Sequence, residues 1–371
     1  MFKHLLLSAG LIATSLFAQD TEKKEEPIYN FVHTKQNDAL DVLSQGRTGT
    51  CWSFATSSFL ESELIRMGKG PINLSEMFIV KNVYKEKANN YVRFHGKTNF
   101  GEGSLTHDYL NAAEKYGVMP FEDFHPEIHE DKKHNHSEMV SILKPMVKTF
   151  AKSSNLSDKW KEAYNRVLDI YFGSEEDSFK ADGKEYSPKS YKNALGIVAA
   201  DYRHFTSYTH HPFKSSFILE VPDNWANGEY ENIPIDQLTE MSKVALRMGY
   251  TISWDADVSN KGFSSSKGLA LVPKDESIKV NDLKEPIEEV EVTQELRQEK
   301  FDKHIVTDDH LMHITGITED EDGNTFFIVK NSWGVERGME GFEGHIFVSE
   351  AYFKLNTISV TLHKTALHYR K

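Results

Sequence analysis

The first feature in the pattern of apolar and polar positions is an apolar segment near the N terminus. Residues 5–17 are predominantly apolar, follow the basic Lys3, and give way abruptly to Gln19 and Asp20. This layout is typical of a signal peptide, and we predict cleavage after Ala18. Because the stretch is shorter than the ~20 apolar residues of a membrane-spanning helix, we expect a secreted or periplasmic protein with no stable membrane insertion after cleavage.

Helical spacing of apolar residues begins at Cys51 and continues to Met67, just before Gly68. Further helical patterns lie in the middle of the chain, at residues 138–151, 157–171 and 235–248, and a short one starts at Thr293. Strand-like runs occur at residues 250–254 and 358–362. Helices and strands therefore alternate along the chain.

Two strand-like runs near the C terminus predict a β-hairpin. The first covers residues 310–318 and the second residues 325–330, and Asp322-Gly323 between them is a strong turn signal. In such a hairpin, His310 at the start of the first strand and Asn331 after the second lie at the same open end. We therefore expect an imidazole beside a carboxamide.

The chain has a single cysteine, Cys51, which cannot form an intramolecular disulfide in an oxidising compartment. In the first turn of the predicted helix, free N–H groups and the helix dipole stabilise a thiolate, which suits a nucleophile. Gln45, six residues earlier, offers a second donor beside the Cys51 N–H for an oxyanion. The alternative is that Cys51 is a small buried apolar residue, as free cysteines often are.

Together these residues fit the chemistry of a thiol peptidase. His310 would take the thiol proton and later donate one to the leaving amine, while the Asn331 carbonyl orients the ring. Trp333 would cover the hydrogen bond between them and exclude water.

Five motifs carry a family resemblance: residues 45–54, 74–76, 114–120, 307–312 and 330–334. On these motifs the chain resembles the papain-like cysteine peptidases and, within them, the bleomycin hydrolase and aminopeptidase C branch. The resemblance implies an α+β fold over residues 19–371, with a helical lobe carrying the nucleophile and an antiparallel β lobe carrying the histidine and asparagine. It implies that Cys51 is the nucleophile, Gln45 the oxyanion donor and Asn331 the orienting residue.

The family pattern also selects between two nearby histidines. It places a small residue such as glycine six positions after the catalytic histidine, and His310 with Gly316 has that spacing, whereas His313 does not. We therefore expect His310 to be the base and His313 to lie on a strand face.

The middle of the chain is longer than in papain. His310 lies 259 residues after Cys51, compared with ~130 to 150 in papain-type sequences. We interpret the excess as a helical insertion at approximately residues 125–248. Large helical insertions in this interval are similar to those of the bleomycin hydrolase branch.

The formal net charge of −13 would repel a phosphate backbone, so we expect no nucleic-acid partner. The histidine-rich residues 125–136 fit no zinc spacing and are interpreted as a solvated loop. Residues 320–324 lack the spacing of a calcium loop and are interpreted as a turn. We therefore expect no metal and no cofactor.

The sequence thus predicts an exported thiol peptidase acting on peptide substrates, with aminopeptidase activity favoured over endopeptidase activity. A papain-like endopeptidase and a non-catalytic peptide-binding protein on the same fold remain open alternatives. In the resembled branch the C-terminal tail restricts cleavage to chain ends, but residues 362–371 depart from that pattern. A homo-oligomer is also possible.

Overall fold

The computed structural model describes residues 27–126 and 133–367, so the predicted signal peptide lies outside the described residues. Nine α-helices are found in this part of the chain: α1 Cys51–Arg66, α2 Glu76–Arg93, α3 Thr106–Tyr116, α4 Ser137–Lys152, α5 Lys159–Phe172, α6 Pro188–Leu195, α7 Ile235–Arg247, α8 Gln294–Asp302 and α9 Glu350–Asn356. In the described ranges, no helix has the length and apolar character needed to span a membrane.

The strands of the same ranges are mostly short and lie in the second half of the chain. They are β1 Phe31–Gln36, β2 Phe179–Ala181, β3 Lys184–Tyr186, β4 Tyr202–Thr206, β5 Ser216–Ile218, β6 Glu229–Asn232, β7 Ile252–Ala256, β8 Phe263–Ser264, β9 Leu269–Ala270, β10 His310–Asp320, β11 Thr325–Lys330, β12 Gly338–Met339, β13 Phe342–Glu343, β14 His345–Ser349 and β15 Thr357–His363. With the helices they form an α+β fold, as the sequence predicts.

One sheet organises the second half of the chain. Its strand order is β5-β6-β4-β15-β7-β10-β11-β14-β9-β8, with β1 paired to β10, and all pairs are antiparallel except β4 with β6 and β9 with β14. The long strand β10 lies at the centre and packs against α1. The nucleophile helix and the histidine strand are therefore neighbours.

Helix α1 is buried on nearly every side, from Cys51 through Leu64. Trp52, Phe59 and Leu60 are at most 1% exposed and belong to the core shared with α2 and α3. A helix surrounded by protein is expected to be apolar or small on all faces, and several serines of α1 satisfy their hydroxyl groups by hydrogen bonding to neighbouring elements. For example, Ser53 donates to the Glu76 backbone carbonyl at 2.9 Å.

The β10–β11 hairpin has the predicted turn. Glu319 pairs with Thr325, and His313 pairs with Lys330. The Asp320 carboxylate accepts the backbone N–H groups of Asp322 and Asn324 at 3.1 and 2.8 Å. These bonds close the loop, so residues 320–324 form a turn, as interpreted from the sequence. They also use the carboxylate that would have been a ligand in a calcium loop.

The central region is only partly helical. Helices α4, α5 and α7 lie where the sequence predicts them, and Pro145 does not interrupt α4. However, β4, β5 and β6 extend the main sheet, so the prediction of a helical insertion is wrong for residues 202–232. Strand β4 pairs with the edge of β15 that faces away from β7, and the aromatic residues of β4 favour a strand in that position.

The interpretation of the histidine-rich segment as a solvated loop is wrong at its C-terminal end. His136 is 6% exposed, and the backbone around it pairs with the loop that precedes Cys51. The His134 carbonyl accepts the Arg47 N–H at 2.7 Å. Gly46, with a φ of +65°, approaches His134 so closely that a Cβ there would collide with its backbone. This segment thus supports the nucleophile loop.

Candidate active site

Cys51 is the first residue of α1 and is 7% exposed. The backbone N–H of Leu311 lies close enough to the sulfur to lower the pKa of the thiol. Leu311 directly follows His310, so the thiol lies at the beginning of β10. The thiol therefore lies near the end of β10 at which His310 is located, although 259 positions separate the two residues in sequence.

His310 and Asn331 meet at the open end of the hairpin, as the sequence predicts. Nε2 of His310 lies 2.8 Å from Oδ1 of Asn331, and both residues are 4% exposed. Since Oδ1 can only accept, Nε2 carries the proton and Nδ1 is left as an acceptor for a thiol proton. The ring of Trp333 lies 4.7 Å from the imidazole and covers it.

Gln45 is tied to the same end of the hairpin. Its Nε2 donates to the Thr48 carbonyl at 2.7 Å, which uses one of its two amide protons. Its Oε1 accepts the Ser332 hydroxyl at 2.7 Å, and its backbone N–H donates to the Ser332 carbonyl at 2.9 Å. Ser332 was not singled out from the sequence, although it directly follows Asn331 and is the group that fixes the Gln45 amide.

The profile of the Peptidase C1-like family matches residues 165–370, which is more than half of the chain. This chain belongs to the Peptidase C1-like family. The matched range includes His310 and Asn331, whereas Gln45 and Cys51 precede it. Comparison with curated protein sequences gives no match.

Among solved structures, PepW shares the fold of this chain. PepW from Lactobacillus rhamnosis is 19% identical, with 91% of this chain and 82% of that chain covered and a TM-score of 0.71. The proform of the Amb a 11 cysteine protease, a ragweed pollen allergen, is 17% identical with 90% and 60% covered and a TM-score of 0.41. Procathepsin L 3 of the Tenebrio molitor larval midgut is 14% identical with 90% and 72% covered and a TM-score of 0.38. Because it belongs to the Peptidase C1-like family, the chain is a cysteine peptidase with a papain-like fold.

In this cysteine peptidase, burial dominates the electrostatics of the site. The pKa of Cys51 is raised to about 12, mainly by burial and to a smaller extent by nearby carboxylates, against the lowering effect of the Leu311 N–H. Burial also lowers the pKa of His310 to about 4. Neutral thiol and neutral imidazole are therefore favoured, and the expected thiolate at the helix N terminus is outweighed by desolvation.

His313 lies on the opposite face of β10 from the Asn331 contact, as expected for a strand-face residue. Its Nδ1 is 2.9 Å from the Ser58 hydroxyl, which also accepts the Lys330 ammonium at 2.8 Å. Burial lowers the pKa of both His313 and Lys330. Two buried carboxyls of the peptidase, Glu61 and Glu76, lie close enough to affect Lys330, so these groups form a polar cluster behind the site.

Glu102 holds the turn before the cysteine. Its carboxylate accepts the Gly49 N–H at 2.8 Å, and its backbone carbonyl accepts the Trp52 indole N–H at 3.0 Å. His136 lies 3.6 Å from the same carboxylate. This contact could not be predicted from the sequence, because Glu102 lies 51 positions after Cys51 in a polar loop.

One group of possible metal ligands occurs among the described residues: His210, His211 and Glu220. The Gln298 amide N–H group lies 3.0 Å from Nδ1 of His210, and the same amide nitrogen donates to Asp302 at 2.8 Å. This arrangement leaves the Nε2 proton of His210 directed at Glu220, 2.9 Å away. His211 likewise directs its Nε2 at the other oxygen of Glu220, at 2.8 Å, so hydrogen bonds within the group account for its arrangement.

Proposed function

We propose that this chain is an exported aminopeptidase of bleomycin hydrolase type, in which Cys51, His310 and Asn331 act as a catalytic triad and Gln45 as an oxyanion donor. The observation that most supports this proposal is the 2.8 Å contact between His310 and Asn331 at the same end of β10 as the Cys51 thiol. That arrangement leaves Nδ1 of His310 available to the thiol.

The reaction would begin with attack of the Cys51 sulfur on a peptide carbonyl as the thiol proton passes to Nδ1 of His310. The resulting oxyanion would accept hydrogen bonds from the Cys51 N–H and from the second amide proton of Gln45. His310 would then protonate the departing amine, which leaves an acyl group on Cys51. Water, deprotonated by His310, would attack this thioester and release the product.

Cleavage at the N terminus of peptides is supported by a loop between β5 and β6. We name residues 219–228 the bridging loop. The backbone N–H of Asp223 in this loop lies close enough to the Asp308 carboxylate, two residues before His310, to lower the pKa of that carboxyl. The Trp225 indole in the same loop donates to Ser104 on the helical side at 2.7 Å. A loop attached to both walls of a cleft would block long chains from passing through it.

The C-terminal tail does not support chain-end gating in its described part. Ala366 and Leu367 line a groove with Met241 and Val244 of α7, on the far side of β4 and β15 from the thiol. The bridging loop is therefore the element on which the proposed aminopeptidase mode rests. A papain-like endopeptidase is the second candidate, and it requires that this loop move away from the cleft.

Fluorogenic peptides with free and acetylated N termini distinguish these activities. We expect turnover of the free peptides only, and none by Cys51→Ala. Turnover of both classes at similar rates would indicate an endopeptidase, and binding without turnover by the unmodified chain would indicate a peptide-binding protein. For the proposed signal peptide at residues 1–18, fractionation that finds the protein only in the cytosol would contradict export.

A further inference from the structure

Two buried carboxyl groups lie beside the candidate active site and are not used by the proposed triad. Asp255 is in β7, and its Cα is paired with that of Leu311, the residue whose N–H contacts the Cys51 sulfur. Directly opposite residues of an antiparallel pair point to the same face of the sheet. Asp255 is 1% exposed, and it lies close enough to Cys51 for its charge to raise the pKa of the thiol.

Asp308 completes the pair from the segment just before His310. The Asp255 and Asp308 carboxyl groups lie within hydrogen-bonding reach of each other. Among the described residues, Oδ1 of Asp255 and Oδ2 of Asp308 have no hydrogen-bond partner, although both atoms are buried. A buried carboxylate oxygen without a donor is costly, so this pair requires either a shared proton or a cation from outside the chain.

The surrounding charges favour a cation. The charged groups that act most strongly on Asp255 are the carboxylates of Asp308, Asp223 and Asp309. Burial, followed by these like charges, raises the pKa of Asp255 and Asp308. The ammonium of Lys87, which offsets the charge of Asp223, is itself bound by the backbone carbonyls of Gly101 and Gly103.

The bridging loop lies next to this acidic pair, because its Asp223 is close to Asp308. Oδ1 of Asp223 accepts the Asn99 amide at 2.9 Å, and the Trp225 carbonyl accepts the Asn90 amide at 2.9 Å. Any side chain at Gly103 would collide with the Asp223 carboxylate. These contacts hold the bridging loop, with Asp223, against the helical side of the protein.

We propose that Asp255 and Asp308 bind the ammonium group at the free N terminus of a peptide substrate and so place its first carbonyl groups at Cys51. This inference rests on the proposed aminopeptidase function and names the group that the enzyme recognises. An α-ammonium group has three N–H donors, and it is largely protonated near neutral pH because its usual pKa is about 7.7 to 8.0. It would satisfy both unpaired oxygens and displace the proton that the carboxyls share.

The same chemistry would suit a lysine side chain, so the test must separate the two sources. We would measure KM and kcat for a fluorogenic alanyl amide, and the inhibition constants of alaninamide and of N-acetyl-lysine amide, with the full chain. The variants are Asp255→Asn and Asp308→Asn, which keep the shape of the side chain. Asp322→Asn, which removes an exposed carboxylate from the hairpin turn, is the charge-matched control.

We expect each cleft variant to raise KM for the alanyl amide and the inhibition constant of alaninamide by about 10- to 100-fold, as for loss of one charge-assisted hydrogen bond. Asp322→Asn should leave both unchanged. Unaltered constants in the folded cleft variants would overturn the proposal, and inhibition by N-acetyl-lysine amide that the variants abolish would assign the pair to a side chain instead.

Two measurements distinguish a failure of this inference from a failure of the proposed aminopeptidase function. The rate of Cys51 alkylation by iodoacetamide and the thermal unfolding midpoint should be similar in the wild type and in both variants. If a variant does not fold, the wild type alone still tests the idea, since alaninamide should inhibit at least about tenfold more strongly than N-acetyl-alaninamide. Equal inhibition by the two amides would overturn the assignment even if the triad is active.

Discussion

The Ser332 hydroxyl donates a 2.7 Å hydrogen bond to Oε1 of Gln45 and thereby links the residue after Asn331 to the proposed oxyanion donor. The Gln45 amide can rotate by half a turn, and this bond selects the orientation that directs Nε2 toward the nucleophile loop. The hairpin thus positions both the imidazole and the oxyanion donor.

Ser332→Ala should lower kcat about 5- to 10-fold with little change in KM, since one neutral hydrogen bond contributes about 1 kcal/mol. Gln45→Ala should lower kcat by about 10²- to 10³-fold. If Ser332 acts through Gln45, the double variant will be no slower than Gln45→Ala alone. Additive losses in steady-state kinetics would show that the serine acts independently.

The two neighbouring histidines of β10 should respond differently to substitution. His310→Ala removes the proposed base and should lower kcat by at least about 10²-fold. His313→Ala instead removes the partner of Ser58 in the buried cluster, and we expect it to cost about 1 to 3 kcal/mol of unfolding free energy. Its effect on kcat should be smaller than tenfold.

Peptide turnover and urea unfolding of both variants would test this division. The two substitutions delete the same side chain from the same strand, so each serves as the control for the other. A His313→Ala enzyme that is as inactive as His310→Ala, but equally stable to urea, would reverse the assignment.

The pH dependence of thiol reactivity follows from the two shifted groups. Burial raises the pKa of Cys51 to about 12, so its thiolate fraction grows with pH throughout the alkaline range. Burial lowers the pKa of His310 to about 4, so the charged imidazole is populated only in acid. Alkylation of the free enzyme by iodoacetamide should therefore keep accelerating above pH 8. A rate that is already constant from pH 6 to 9 would show a preformed thiolate–imidazolium pair instead.

The hairpin could be predicted because its signals are local. Asp322-Gly323 defines the turn, and the turn fixes which ends of β10 and β11 meet, so the His310–Asn331 contact follows from one short segment. Helix α1 could likewise be predicted from its own apolar spacing.

The strands of the central region could not be predicted because their partners are distant. Phe205 in β4 pairs with Val360 in β15, and although residues 358–362 have a strand pattern, residues 202–206 have no alternation strong enough to require a strand. The acidic pair was missed for the same reason: Asp255 meets Asp308 only because β7 pairs with β10. Asp308 was visible in the motif around His310, but nothing local indicated its partner.

The Trp225 indole provides a way to test the bridging loop itself. Trp225 is 9% exposed and belongs to the core beside α2, and its bond to Ser104 attaches the loop to the helical side of the cleft. Trp225→Ala removes that bond and the apolar contact together, which should destabilise the closed position of the loop by more than about 1.4 kcal/mol. Cleavage of peptides with acetylated N termini should then increase roughly tenfold or more.

Trp160→Ala is the matched control, because Trp160 packs on Phe150 at a ring distance of 5.5 Å in the helical pair α4–α5, away from the thiol. It should lower the thermal unfolding midpoint without increasing cleavage of acetylated peptides. Mass spectrometry of products from one acetylated peptide, incubated with the wild type and both variants, makes the comparison. A folded Trp225→Ala enzyme that still ignores acetylated peptides would mean that the bridging loop does not restrict access, and that recognition of the free amino group alone sets the mode of cleavage.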